Sequence, residues 1–312
     1  MSFLRRLYQK VIISVDIDVY TCKVRIAYHN NNNLSQEEKT YKTINGDFPI
    51  EAAKYIRRIK NKYPFTYIAT MSRSKNQGLI AGNKINSFEK FNISAQSLAI
   101  ILISKKWFVY INKEDIIKDK NKFSKVQGVD FIFSPFVLIY EKIKDRVNEI
   151  KKLYILQEKG SCTLLVADSN GVYFGDYKIL EQNKFVEENS MQEIEEIDST
   201  STNIEFEAIS DMDENIIIKD FDDKDTIQDK SALNDLSVAN TMINIIKDTL
   251  NNFYKDDRYA SDFIEELLIL DGCGISDSSI THLTNNIMLE TQFLRIDTCE
   301  EIEKLAKMEL KL

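Results

Sequence analysis

One order of elements runs through this chain twice, and that repetition constrains its fold more than any composition does. Val11-Ile-Ile-Ser-Val-Asp-Ile17 is β-branched and free of breakers, as a buried strand requires. After a turn at Asp18-Val-Tyr20, residues 22–28 alternate apolar and polar side chains, the pattern of a hairpin partner. A loop over 30–33 leads to a short third strand, 39–44, closed by the turn dipeptide Asn45-Gly46. A helix over 49–62 and a strand over 65–70 complete the first copy.

From Lys152 the order begins again. Strands are predicted over 152–156 and 162–167, and Asn170-Gly171 joins the second to another at 172–178. Asn-Gly between two apolar strands is the strongest short hairpin signal. A long helix over 233–254 and a fully apolar strand over 267–270 follow. After Asp271-Gly-Cys-Gly274 come a helix from Ser276, its N-cap, to about 288, a strand over 292–296 and a last amphipathic helix from 299.

Two stretches fall outside the repeat. Residues 77–123 match neither copy; a hairpin over 98–104 and 107–112 and a helix over 114–123 suggest a small inserted subdomain at about 75–125. A strand over 131–133 and a helix over 135–150 would bridge to the second copy. Residues 187–230 are rich in Asp and Glu, with strand-like pieces only at 204–209 and 216–218. Such a segment buries too little apolar surface to offset its ordering cost. It reads as a surface insertion, a solvated spacer or a docking arm for a basic partner. The expected domains are therefore 1–150 and 151–312, each carrying one insertion.

Charge is split along the chain. Residues 1–160 hold 29 Lys and Arg against 15 Asp and Glu, leaving 12 and 34 for the remainder. The basic side chains lie dispersed on amphipathic helices such as 50–60, so they read as solvated faces and no direct nucleic-acid partner is expected. Cys22, Cys162, Cys273 and Cys299 are far apart, and His29 and His282 are the only histidines. That pattern suits reduced, buried thiols and offers few ligands or bases for zinc or histidine-triad chemistry. No stretch approaches the roughly 18–20 apolar residues of a membrane span, and no apolar block follows the basic start as in a signal peptide. The last helix suits either a soluble terminus or a chain continuing into a membrane anchor.

Two copies of three strands, helix and strand, with insertions, resemble the actin, hexokinase and Hsp70 superfamily, whose halves are ribonuclease H-like. Local residues look most like PilM of type IV pilus systems and the cytoplasmic region of GspL of type II secretion. In that family the first strand ends in a phosphate motif, Asp-Ile-Gly-Ser-x-x-x-Lys. Here Asp16-Ile-Asp-Val-Tyr-Thr-Cys-Lys23 keeps Asp16 and Lys23 at the matching spacing. The segment around Gly272 and Gly274 is similar to the family's adenosine-side glycines. The resemblance thus implies an α/β fold of duplicated actin-like βββαβα halves, with Asp16, Asp18, Lys23, Gly272 and Gly274 lining a vestigial nucleotide cleft.

The departures weigh against nucleotide. Asp18 stands where the family has Gly, which lets backbone approach a phosphate closely; a carboxylate adds bulk and like charge. At about 5 Å and an effective dielectric of about 20, one such repulsion costs roughly 3 kcal/mol. The second phosphate motif, Asp-x-Gly, falls on Leu156-Gln-Glu-Lys-Gly160, with no aspartate to hold magnesium-bound water. The expected role is therefore a non-catalytic scaffold without cofactor, ATP with magnesium being the alternative. The resemblance implies inner-membrane platform proteins and a motor ATPase as partners, a cytoplasmic place at the inner membrane, and leaves a homodimer open. A two-metal nuclease would need an acid on the strand over 65–70, which has none. A sugar or acetate kinase would need a catalytic Asp and glycine-rich phosphate loops that the second copy lacks.

Overall fold

The computed structural model describes residues 9–30, 33–44, 46–180, 224–259 and 261–312. Both halves of the repeat are present as sheets of the same topology. The first contains β1 (Lys10–Ile17), β2 (Thr21–Asn30), β3 (Asn33–Lys42), β4 (Phe65–Met71) and β8 (Phe131–Phe133) in the order β3-β2-β1-β4-β8. The second contains β9 (Lys152–Gln157), β10 (Ser161–Ala167), β11 (Val172–Ile179), β12 (Glu266–Asp271) and β13 (Glu290–Arg295) in the order β11-β10-β9-β12-β13. In each, an antiparallel three-strand meander continues into parallel strands, β1 with β4 and β8, β9 with β12 and β13.

The central strands are apolar on both faces because both are covered, as parallel strands require. Val11, Ile13 and Val15 turn outward with Val24 and Ile26, onto Ala52, Ala53 and Ile56 of α1 (Ile50–Lys62). Ile12 turns inward with Ala69 and Met71. It joins a core shared with Phe136 and Ile139 of α4 (Pro135–Ile143), Ile302 and Leu305 of α7 (Thr298–Leu310), and Tyr154, Leu156 and Leu165 of the second sheet. The outer face of that sheet, with Leu153, Ile155, Leu164 and Ile269, packs on α5 (Lys224–Lys255) and α6 (Asp277–Asn286) through Met242, Ile246, Phe253 and Leu283. The layers therefore run helix, sheet, helices, sheet, helices. Each fully buried aliphatic side chain in them contributes about 1.5–3 kcal/mol.

The inserted subdomain is a third sheet, β5-β7-β6, of β5 (Gln77–Ala81), β6 (Leu98–Ile103) and β7 (Trp107–Asn112), with the one-turn α2 (Ser87–Lys90) and α3 (Lys113–Lys122). The hairpin and helix match the sequence expectation, and β5 is an additional strand. By contacts, Met1–Leu180 and Asp235–Leu312 form one compact unit and Glu181–Asn234 another. Of the second, the part described is the start of α5. The strand-like pieces at 204–209 and 216–218, and Asn45 of the first turn dipeptide, lie outside the described residues.

Several boundaries differ from expectation. Strand β3 starts at Asn33, ahead of residue 39, because its polar stretch pairs along the whole of β2 and Glu37 accepts from Tyr28 Oη at 2.7 Å and Tyr55 Oη at 2.6 Å. Helix α4 ends at Ile143 instead of 150, where the chain leaves it and Asn148 O accepts from Ser169 N at 2.7 Å. Helix α5 begins at Lys224, inside the range assigned to the acidic insertion, since neither Gly nor Pro interrupts 224–255.

Candidate functional site

Topology brings the carboxyl ends of β1 and β9 to one cleft, the place where open α/β sheets build sites. Two hairpin turns meet there. The turn between β1 and β2 is closed by Asp18 N donating to Thr21 O at 2.8 Å, and Asp18 Oδ1 accepts from Val19 N at 2.7 Å. The turn between β9 and β10 is closed by Glu158 N donating to Ser161 O at 2.9 Å. They touch at Gly160: a Cβ there would lie 3.0 Å from Val19 Cγ2 and 3.5 Å from Asp18 Oδ1.

The centre of the cleft is a cation supplied by the chain itself. Arg73, two residues beyond β4, directs its guanidinium between the halves. Nη2 donates to Asp16 Oδ1 at 2.6 Å and to Glu158 Oε1, and Nη1 donates to Ile17 O. Glu158 Oε2 also accepts from Ser161 Oγ at 3.0 Å. Burial disfavours the charge on Arg73, yet Asp16 and Glu158 outweigh it and hold the guanidinium protonated even more firmly than usual. Burial pushes the Glu158 carboxyl above the usual range, Arg73 pulling the other way and Asp16 adding to the rise. One guanidinium thus pairs with two acids at the junction of the two sheets.

The loop carrying Arg73 is stapled to α3. Ser72 Oγ donates to Asp119 Oδ2 at 2.7 Å, and Ser74 Oγ and Asn76 Nδ2 donate to Asp115 Oδ2 at 2.5 and 2.8 Å. Gln77 Nε2 closes the loop on Ser72 O and Ser74 O at 3.2 and 2.9 Å. The inserted subdomain therefore aims the arginine. Beside it lies a cavity of about 220 Å³ lined by Asp18, Gly46, Arg73, Asp119, Lys122 and Gly160 among others.

The expected site residues divide. Asp16 and Asp18 reach the cleft, Asp16 as an ion-pair partner of Arg73. Lys23 does not reach it: it pairs with Asp297 at 2.9 Å and Glu38 at 3.0 Å, and Asp297 in turn caps α7 by accepting from Glu300 N. Gly272 and Gly274 flank the turn after β12, where Asp271 accepts from Cys273 N, Gly274 N and Ile275 N at 3.1, 2.8 and 3.0 Å. Gly274 has φ +79°, the left-handed region that favours glycine. Gly272 has another reason to be glycine: a Cβ would sit 3.1 Å from both Gln157 O and Thr298 Oγ1. Cys273 is pushed up to about 12, by burial first and then by Asp271, so it stays a thiol. Among the described residues, no cluster of three His, Cys, Asp or Glu side chains could hold a metal ion, and no helix is long and apolar enough to cross a membrane.

Arg73 and Glu158 were missed as a functional pair. Glu158-Lys159-Gly160 keeps the spacing of the second phosphate motif with Glu in place of Asp, so an acid at the motif's own position was a usable signal. Arg73 belongs to no motif.

The fold is actin-like. It is similar to the solved PilM–PilN type IV pilus biogenesis complex at 11% identity and a TM-score of 0.53, covering 93% of this chain and 89% of that one. A Bacteroides thetaiotaomicron protein of actin-like ATPase fold gives 10% identity and 0.48, covering 94% and 93%. An activator of 2-hydroxyisocaproyl-CoA dehydratase from Clostridium difficile gives 10% and 0.40, covering 97% and 98%. No curated protein matches the sequence. Residues 8–140 match a family model described as Domain of unknown function (DUF8569). Residues 153–311, just over half of the chain, match a second model, and by that match the chain belongs to the family described as Domain of unknown function (DUF8341).

Proposed function

We propose that this chain is a non-catalytic scaffold of an inner-membrane assembly platform of the pilus, secretion or DNA-uptake kind, acting at the cytoplasmic face by holding partner proteins. The observation that carries this reading is Arg73. In an actin-like cleft that served nucleotide, the carboxylates at the ends of the two central strands would face a metal-bound phosphate chain. Here an internal guanidinium lies between Asp16 and Glu158. A magnesium triphosphate fits these residues poorly, because its cation would compete with Arg73 and its phosphates would meet Asp18. The cavity of about 220 Å³ is also smaller than the roughly 300–1,000 Å³ of ordinary ligand clefts.

The choice of platform rests on the shared fold and on the PilM–PilN pairing in the similar structure. On this reading the partners are platform proteins and the motor ATPase. Isothermal titration with ATP and magnesium is expected to give no binding heat. Micromolar binding would overturn the reading in favour of an ATP-binding, PilM-like protein whose partner binding follows nucleotide. A pull-down of the intact protein from its own cells is expected to recover platform proteins, and recovery of none would count against the assignment.

A further inference from the structure

Among the described residues the three sheets end in six edge strands, and proteins protect such edges with charge, proline, bulges, short length or cover. Five of the six are protected. Strand β3 carries Glu37, Glu38, Lys39 and Lys42, and β8 is three residues long. Strand β11 carries Asp176 and Lys178, and β13 carries Glu290 and Arg295. Strand β5 is covered by β11, which approaches so closely that a Cβ on Gly175 would lie 2.3 Å from Leu79 Cδ2.

Among the described residues, strand β6 has none of these devices. Its sequence, Leu-Ala-Ile-Ile-Leu-Ile, contains no charge and no proline, and its register with β7 runs unbroken from Leu98–Asn112 to Ile103–Trp107. Among the described residues its outer side pairs with nothing. Ile101 and Leu102, on opposite faces, remain 61% and 41% exposed. The backbone groups of that outer side and these two side chains form a ready template for a further strand.

The surroundings indicate what the strand would be. Residues 77–123 hold eight Lys against four Asp and Glu, and two of those acids, Asp115 and Asp119, are buried and taken up by the Arg73 loop. Lys105 follows β6 in the hairpin turn. Lys113 stands beside its start, where its Nζ donates to Gln96 O at 2.8 Å. Positive charge therefore brackets an uncharged, apolar strand.

We propose that β6 is a docking edge that takes an extended segment of a partner protein as a fourth strand, with apolar side chains at alternate positions and acidic residues at both ends. Main-chain hydrogen bonds supply the affinity, Ile101 and Leu102 meet the apolar side chains, and the flanking lysines set the preference for acidic ends. The proposal rests on the scaffold reading and names the surface through which the scaffold works.

A fluorescent nonapeptide, Asp-Glu-Ile-Thr-Val-Thr-Ile-Glu-Asp, titrated with the full chain tests it by anisotropy. Saturable binding is expected. N-methylation of alternate peptide nitrogens should weaken it at least about tenfold, since two or more hydrogen bonds are lost. Ile101→Glu should do the same by repulsion of the acidic ends, with unchanged circular dichroism. Raising salt from about 50 to about 500 mM should weaken it further. Equal affinity for the N-methylated peptide, or no binding at all, overturns the proposal. So does a dimer of the chain, seen by sedimentation and abolished by Ile101→Glu, because the edge would then serve a second copy. A flat ATP titration alongside absent peptide binding removes this inference and leaves the scaffold reading standing. ATP binding with peptide binding intact removes the scaffold reading and keeps the docking edge.

Discussion

Arg73→Met removes the guanidinium that lies between Asp16 and Glu158 and keeps an apolar side chain of similar length in its place. Two carboxylates then face each other across the junction of the halves, Glu158 with only 4% of its side chain exposed. Breaking a buried ion pair by deleting one partner costs about 3–5 kcal/mol, and the neighbouring acid keeps the loss near the top of that range. The variant also shifts titration. Without Arg73, burial and Asp16 are opposed on Glu158 only by the Ser161 hydrogen bond, and its folded pKa moves further above the unfolded value. A raised carboxyl contributes stability that is complete below the unfolded value of about 4.3 and is lost as pH rises through the folded value. The penalty should therefore be largest near pH 7 and shrink toward pH 5 as Glu158 takes up a proton. Urea unfolding of both proteins at pH 7 and pH 5 measures this as a change in midpoint at constant slope. Adding Glu158→Gln should recover part of the loss at pH 7. A shift under about 1 kcal/mol, or equal penalties at the two pH values, would refute the buried three-charge junction.

Two further outcomes follow from local geometry. Gly175→Ala should cost about 1–3 kcal/mol, because the new methyl would lie 2.3 Å from Leu79 Cδ2 and 2.9 Å from Phe136 Cε1. Gly171→Ala, with nothing within 4 Å, should stay within about 0.5 kcal/mol; thermal melts of both check the contrast. Asp115 is held down to about 2, first by Ser74 and then by Lys118, so its contribution is present above the unfolded carboxyl value and is lost as pH falls from about 4 toward 2. Asp115→Asn should flatten the acid limb of the stability profile in that window, measured by urea midpoints at successive pH values.

Much of the fold was legible because strand and hairpin signals are local. The Asn170-Gly171 turn, the alternation along 22–28 and the unbroken apolar run at 267–270 each specify their own conformation within a few residues. Where the reading slipped, a tertiary partner overrode the local pattern. The polar stretch from Asn33 carries no β signal of its own and becomes a strand by pairing along β2. In α4, the chain leaves the helix to meet Ser169. Lys23 kept the spacing of a phosphate motif, but spacing does not decide which acids a lysine will meet: it pairs with Glu38 and with Asp297, the latter 274 residues away in sequence.

The sequence by itself determined a duplicated α/β framework, its turns and the departures from a phosphate-binding pattern, all of which are written in periodicity and in residues within a turn of one another. Only the tertiary structure decided what fills the cleft and which edge stays bare. Arg73 meets Asp16 across 57 residues and Glu158 across 85, and β6 is an edge solely because no described strand lies beyond it. Such encounters depend on the packing of whole sheets, since charge and backbone pairing act through space between groups that no local pattern links.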